Sequence, residues 1–83
     1  MEKELTEIEK AAGAEFVELA IGMSGDVLEK KISDLRNDAL SSLMRFLLWS
    51  YDGALTGFAA SLHAFCVLEA SERFVRHYAG SEG

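Results

Sequence analysis

The stretch that decides the fold is residues 39–68, ALSSLMRFLLWSYDGALTGFAASLHAFCVL. It carries only two formally charged side chains, Arg45 and Asp52, and every other charged residue lies before or after it. A segment that is apolar around nearly the whole helix circumference has to be covered on more than one side. We therefore place the core here, and we expect this stretch to present more apolar surface than short flanking helices can cover.

The rest of the chain also has a helical pattern. It contains no proline, which would interrupt helices, and its apolar residues recur at spacings of three and four. The sequence predicts one all-α domain, residues 1–83, with helices at about residues 2–21, 27–50 and 54–78 and a frayed tail at 79–83. We expect Gly22 and Ser24-Gly25 to end the first helix, Asp26 and Glu29 to form a capping box for the second, and Gly53 to provide the second turn.

Each predicted helix has a stripe of apolar residues expected to face the core. The stripe of the first helix is Leu5, Ile8, Ala12, Phe16, Leu19 and Met23, and that of the second is Leu28, Ile32, Leu35, Ala39, Leu43 and Phe46. The third helix is apolar on two sides, with Leu55, Phe58, Leu62 and Cys66 on one and Gly57, Ala60 and Ala64 on the other. A helix with two apolar sides requires two packing partners.

These stripes predict a hairpin of the second and third helices with the first helix packed across it, paired into a homodimeric bundle. A chain of 83 residues buries only about 60–65% of its unfolded surface, so self-association is a natural source of extra stability. The predicted dimer interface contains Leu55, Phe58, Leu62 and Phe65. A monomeric three-helix bundle is the alternative.

Charge indicates which partners the chain can bind. The formal net charge of −6 and the pI near 4.7 disfavour direct nucleic acid binding, which needs clustered Lys and Arg. An acidic side of the first helix, formed by Glu4, Glu7, Glu15 and Glu18, is a candidate surface for a partner with a basic face, and a simply solvated face is the alternative.

Large aromatic residues mark the predicted hairpin tip. Trp49 and Tyr51 lie just before the turn, where they could anchor a partner or simply pack against the neighbouring helices.

Candidate chemistry is sparse. His63 and Cys66 have a spacing that can place two ligands on one metal, but further ligands are missing nearby, so a hydrogen-bonded histidine is the favoured interpretation. A thiol on an apolar helix face is expected to be inert. We predict no catalytic, cofactor-binding or metal-binding residues. The single cysteine, together with an opening Met1-Glu2-Lys3-Glu4 that lacks the features of a secretory signal, predicts a cytoplasmic protein.

Three function classes follow from these observations. The leading hypothesis is a non-enzymatic, homodimeric adaptor or regulator that acts by protein contacts. The second is a small inhibitor, of phage or mobile-element type, whose acidic first helix blocks a basic nucleic-acid-binding surface on its target. The third is a membrane-associated helical hairpin, which is disfavoured because neither apolar stretch of residues 39–68 reaches the length of about 20 residues needed to span a bilayer.

Overall fold

The computed structural model describes residues 4–51 and 57–82, which are helical apart from short connections and contain no strand. Helix α1 spans Glu7–Ile21, α2 spans Gly25–Ser33, α3 spans Asn37–Ser50 and α4 spans Gly57–Glu82. Helix α3 lies between α1 and α4, and α2 packs on α4. The predicted all-α class is confirmed, with four helices in these ranges where the sequence predicted three.

The extra helix arises because the predicted second helix, residues 27–50, is broken at residues 34–36. The amide of Leu35 donates to the carbonyl of Ile32 in a tight final turn, and Arg36 is extended, with φ −71° and ψ 161°. Short polar side chains compete with the helical hydrogen bonds here, as when the Ser33 hydroxyl donates to the Lys30 carbonyl over 2.9 Å. The break resets the helical phase, so Leu40 is buried and Ala39, which was predicted to face the core, is exposed.

The predicted break between the first two helices is confirmed, but the capping residues differ from the prediction. Helix α2 is capped by Ser24, whose Oγ accepts from the Val27 amide, instead of by the predicted box of Asp26 and Glu29. A capping box occurs instead at the start of α1, where Thr6 and Glu9 exchange backbone-to-side-chain hydrogen bonds of 2.8 and 3.1 Å.

The other end of the predicted hairpin is only partly described. The predicted turn at Gly53 and helix start at residue 54 lie outside the described residues. Helix α4 extends to Glu82, beyond its predicted end at residue 78.

The core lies where the sequence places it. Its fully buried large side chains are Ile32, Leu47, Leu62 and Cys66, three of which come from residues 39–68. The buried cluster also contains Ala20, Leu28, Leu40, Leu43 and Phe46. Burying a Leu, Ile or Phe side chain contributes about 1.5–3 kcal/mol, so these residues supply most of the driving force for folding.

The predicted stripe of the first helix is confirmed in part, because Leu5, Phe16 and Met23 pack against the core but its other three residues do not. Ile8 and Leu19 are 81% and 62% exposed, and Ala12 is also exposed, while Gly13 and Ala20 are buried. Helix α1 packs on α3 at Gly13, where the ring of Phe46 lies directly over the glycine. Small residues allow two helices to approach closely, a preference that a stripe of large apolar residues does not reveal.

Candidate interaction surfaces

The side of α4 that faces away from the core is apolar and exposed. We call this the outer face of α4; its residues are Val67, Leu68, Ser71, Phe74, Val75 and Tyr78. They recur at helical spacings of three and four, and none is charged. Phe74, which is 62% exposed, packs against Tyr78 with the rings tilted and their centroids 4.6 Å apart. A continuous apolar strip of this kind is the usual mark of an interaction site.

The predicted dimer interface occupies a different part of α4. Leu62 is fully buried within the chain, and Phe65 packs against the core from a partly buried position. Phe58 is at the border of exposure, and Leu55 lies outside the described residues. Leu62 is therefore a core residue of the single chain. The small side predicted for this helix also differs, since Ala59 is buried and Ala64 is exposed.

The acidic residues predicted on the first helix are all exposed. Glu4 precedes α1, whereas Glu7, Glu15 and Glu18 lie on it. Glu7 pairs with Lys10 over 3.5 Å, but Glu15 and Glu18 form no ion pair with any described residue. The acidic side of the first helix also contains two large apolar residues, which the sequence did not predict there. Ile8 and Leu19 are exposed beside these carboxylates instead of facing the core.

Glu9 links the start of α1 to α3. Its Oε2 atom accepts from the Arg45 guanidinium over 3.0 Å, and its Oε1 atom accepts from the Thr6 amide. The hydrogen bond from the Thr6 backbone, assisted by the charge of Arg45, holds the pKa of Glu9 below its ordinary value. A lowered pKa favours folding with the carboxylate ionised, and this contribution is lost as the pH falls through the folded-state pKa. Glu9 and Arg45 therefore join the start of α1 to α3, whereas Glu15 and Glu18 make no ion pair with any described residue.

The aromatic residues at the predicted tip are partly packed. Trp49 is 55% exposed, and its ring lies 5.9 Å from that of Phe46 and 4.7 Å from the Lys10 ammonium. The ammonium over the indole face forms a cation–π contact between α1 and α3. Tyr51, which directly follows α3, is also exposed. Trp49 thus combines a packing role with an exposed edge.

His63 and Cys66 do not form part of a metal cluster in the described part of the chain. Cys66 is completely buried, and His63 is partly buried on the same helix. No group of three or more His, Cys, Asp or Glu residues lies close enough together to hold a metal ion in residues 4–51 and 57–82. Burial raises the pKa of the Cys66 thiol to about 11, which keeps it protonated and unreactive near neutral pH.

We expect Cys66 to resist alkylation in the folded protein. At pH 8, iodoacetamide should label it at least about 100-fold more slowly than in denaturant, because both access and the thiolate population are reduced. Mass spectrometry of timed, quenched samples measures the rate. Labelling should accelerate as the pH rises toward 11. Equal rates for folded and unfolded protein would contradict the buried position.

Arg73 joins α4 to the break between α2 and α3. Its Nε atom donates to Glu69 over 2.7 Å, and Nη1 donates to Asn37 Oδ1 over 2.7 Å. The Nη2 atom reaches three backbone carbonyls at the α2–α3 break, those of Ile32, Ser33 and Leu35. Arg73 therefore donates to the Ser33 and Leu35 carbonyls at the end of α2 and makes a longer contact with the Ile32 carbonyl, which already accepts from the Leu35 amide.

Comparison with known proteins identifies no relative. The sequence matches no protein family, and no curated protein or solved structure is significantly similar to it. None of the helices in the described ranges combines the length and apolar character required to cross a bilayer.

Proposed function

We propose that the chain is a non-enzymatic protein-interaction module that acts as a homodimer. The observation that carries this proposal is the outer face of α4, where five large apolar side chains remain between 40% and 64% exposed. Exposing such a strip permanently to water is costly, and covering it on a partner recovers about 25 cal/mol for each Å² of apolar surface.

Charge supports a second copy as the occupant of this face. Between Leu68 and Tyr78 the exposed, formally charged residues of α4 are Glu72 and Arg76, which are opposite in sign, whereas Glu69 and Arg73 are largely buried against the α2–α3 break. Two copies can therefore pair through α4 without bringing an excess of like charges together, although each chain carries a net charge of −6. The acidic side of α1 lacks this balance, so self-association through α1 would be opposed by repulsion.

The solution mass across a concentration series tests the dimer. Light scattering coupled to size exclusion, followed by sedimentation, should give a species near twice 9.1 kDa. Replacing Phe74 and Val75 with serine should convert it to a monomer, because these substitutions remove apolar surface from the centre of the strip. Val27→Ser is the matched control, since Val27 is also exposed but lies on α2.

Two outcomes would contradict this assignment. A wild-type monomer at all concentrations would reject the homodimer. A dimer that persists in the Phe74→Ser, Val75→Ser variant would show that the interface lies outside the outer face of α4. Phe58→Ser would then test the dimer interface predicted from the sequence.

An inhibitor of a basic target is the second candidate function. The exposed carboxylates of Glu15 and Glu18 favour it, since they make no ion pair with any described residue of this chain. In this role the acidic side of α1 would compete with nucleic acid for a positively charged surface on the target. Competition between this protein and DNA or RNA for that target, lost on charge reversal at Glu15 and Glu18, is the expected result.

A further inference from the structure

The outer side of α1 combines apolar and acidic residues in one surface. We define the outer face of α1 as Ile8, Ala11, Ala12, Glu15, Glu18 and Leu19, all exposed. The alanines, with Ala14, form the floor of a shallow depression next to Ile8, Glu15 and Glu18. Small side chains leave room for another backbone to approach closely, while Ile8 and Leu19 offer apolar contacts near the two ends of the helix.

The charges on this face select the kind of partner it can accept. Its only formal charges are negative, and the nearest lysine of the helix, Lys10, is directed instead at Glu7 and the Trp49 ring. A second copy would place Glu15 and Glu18 against carboxylates, and an acidic or purely apolar partner would leave them without compensation. A partner with positive charges beside an apolar strip satisfies both components.

We propose that the outer face of α1 binds a basic amphipathic helix of another protein. Ile8 and Leu19 are eleven positions apart, which corresponds to about 16 Å along a helix or three turns. An apolar stripe at helical spacings on the partner would lie over the alanine floor, with Lys or Arg flanking it beside Glu15 and Glu18. This inference rests on the proposed role as an interaction module, but it does not require the dimer formed by α4.

A synthetic peptide provides a direct probe of this surface. We would use a helical peptide of leucine, alanine and lysine, equal in length to α1, with its leucines in one stripe and its lysines beside it. Two further peptides test the chemistry: a scrambled peptide of the same composition and an analogue with glutamate in place of lysine. Fluorescence anisotropy of the labelled peptides should show saturable binding of the amphipathic basic peptide, and much weaker binding of the other two.

Matched variants locate the binding site. Glu18→Lys should weaken binding about fivefold or more at low ionic strength, and Glu29→Lys, an equal charge change at an exposed site on α2, should have little effect. Ile8→Ser should weaken binding about tenfold, because it removes apolar contact. Ile21→Ser is its control, since Ile21 is exposed at the end of α1 but is not part of this face.

The possible results separate this inference from the homodimer. A wild-type protein that is monomeric in solution but still binds the basic peptide would reject the α4 interface and keep the site on α1. No binding of the basic peptide up to millimolar concentration would overturn the site on α1, as would equal binding of the scrambled peptide, which indicates attraction by net charge alone. A change in oligomeric mass caused by Glu18→Lys or Ile8→Ser would also overturn it, because the face would then be occupied by a second copy.

Discussion

Replacing Gly13 with alanine is expected to lower the free energy of unfolding by about 2 kcal/mol, since overpacking a filled core costs about 1–3 kcal/mol. A Cβ atom at position 13 would lie 2.6 and 2.8 Å from the Cδ2 and Cδ1 atoms of Phe46, closer than real Cβ atoms approach their neighbours. Phe46 is itself buried, so its ring cannot move aside without disturbing the packing of α3 against α1.

The sign of this effect makes the test informative. In an exposed helix interior, glycine to alanine normally stabilises by about 0.5–1 kcal/mol, the opposite of what we expect here. Gly25→Ala is the matched control, because Gly25 is also helical but an added Cβ there would meet nothing within 4 Å. Urea unfolding followed by circular dichroism measures both variants, and Gly25→Ala should be neutral or slightly stabilising.

A double-mutant cycle tests whether the loss of stability in Gly13→Ala comes from the Phe46 ring over Gly13. Phe46→Leu alone should destabilise the protein, but Gly13→Ala should cost less in that background, because the smaller side chain leaves room for the new methyl group. A Gly13→Ala protein as stable as the wild type would contradict the close approach of α1 and α3.

The position of the core could be predicted from the sequence because it depends on a coarse property. Residues 39–68 nearly lack charge, and the structure buries Phe46, Leu47, Leu62 and Cys66 from this stretch. The break after the first helix was also predictable, because glycine and serine cluster there and end helices by known local geometry. Both predictions depend only on the composition of a continuous stretch of sequence.

The orientation of α1 and the break at residues 34–36 were not predictable by the same means. Helix α1 packs against α3 at Gly13, and this contact becomes apparent only when Phe46 is placed over it. The α2–α3 break contains neither glycine nor proline, and the arginine that supports it lies far along the chain on α4. The polar residues from Ser33 to Asp38 were the available local signal.

Arg73→Met is expected to destabilise the fold by about 3 kcal/mol, because it removes a charged hydrogen-bond donor and leaves its partners unpaired. The guanidinium bridges Glu69 to the carbonyls that end α2, and the Leu35 carbonyl accepts over 2.6 Å. The Arg73 and Glu69 side chains are only 19% and 11% exposed, so water replaces these contacts poorly. Hydrogen exchange should show the largest loss of amide protection in α2, since α2 packs on α4 beside this residue.

Three further variants distinguish capping of the carbonyls from simple pairing with Glu69. Arg76→Met should cost less than about 0.5 kcal/mol, because Arg76 is largely exposed and lies 3.6 Å from the Glu69 carboxylate. Arg73→Lys keeps the charge but lacks the planar set of donors, so it should still lose about half of the stabilisation if the carbonyl contacts matter. In the double variant Arg73→Met, Glu69→Gln the carboxylate no longer carries an uncompensated charge. Recovery of nearly wild-type stability there would show that the charge of Glu69 caused the loss, whereas a persistent deficit with unprotected α2 amides is the result expected if Arg73 holds the α2–α3 break in place.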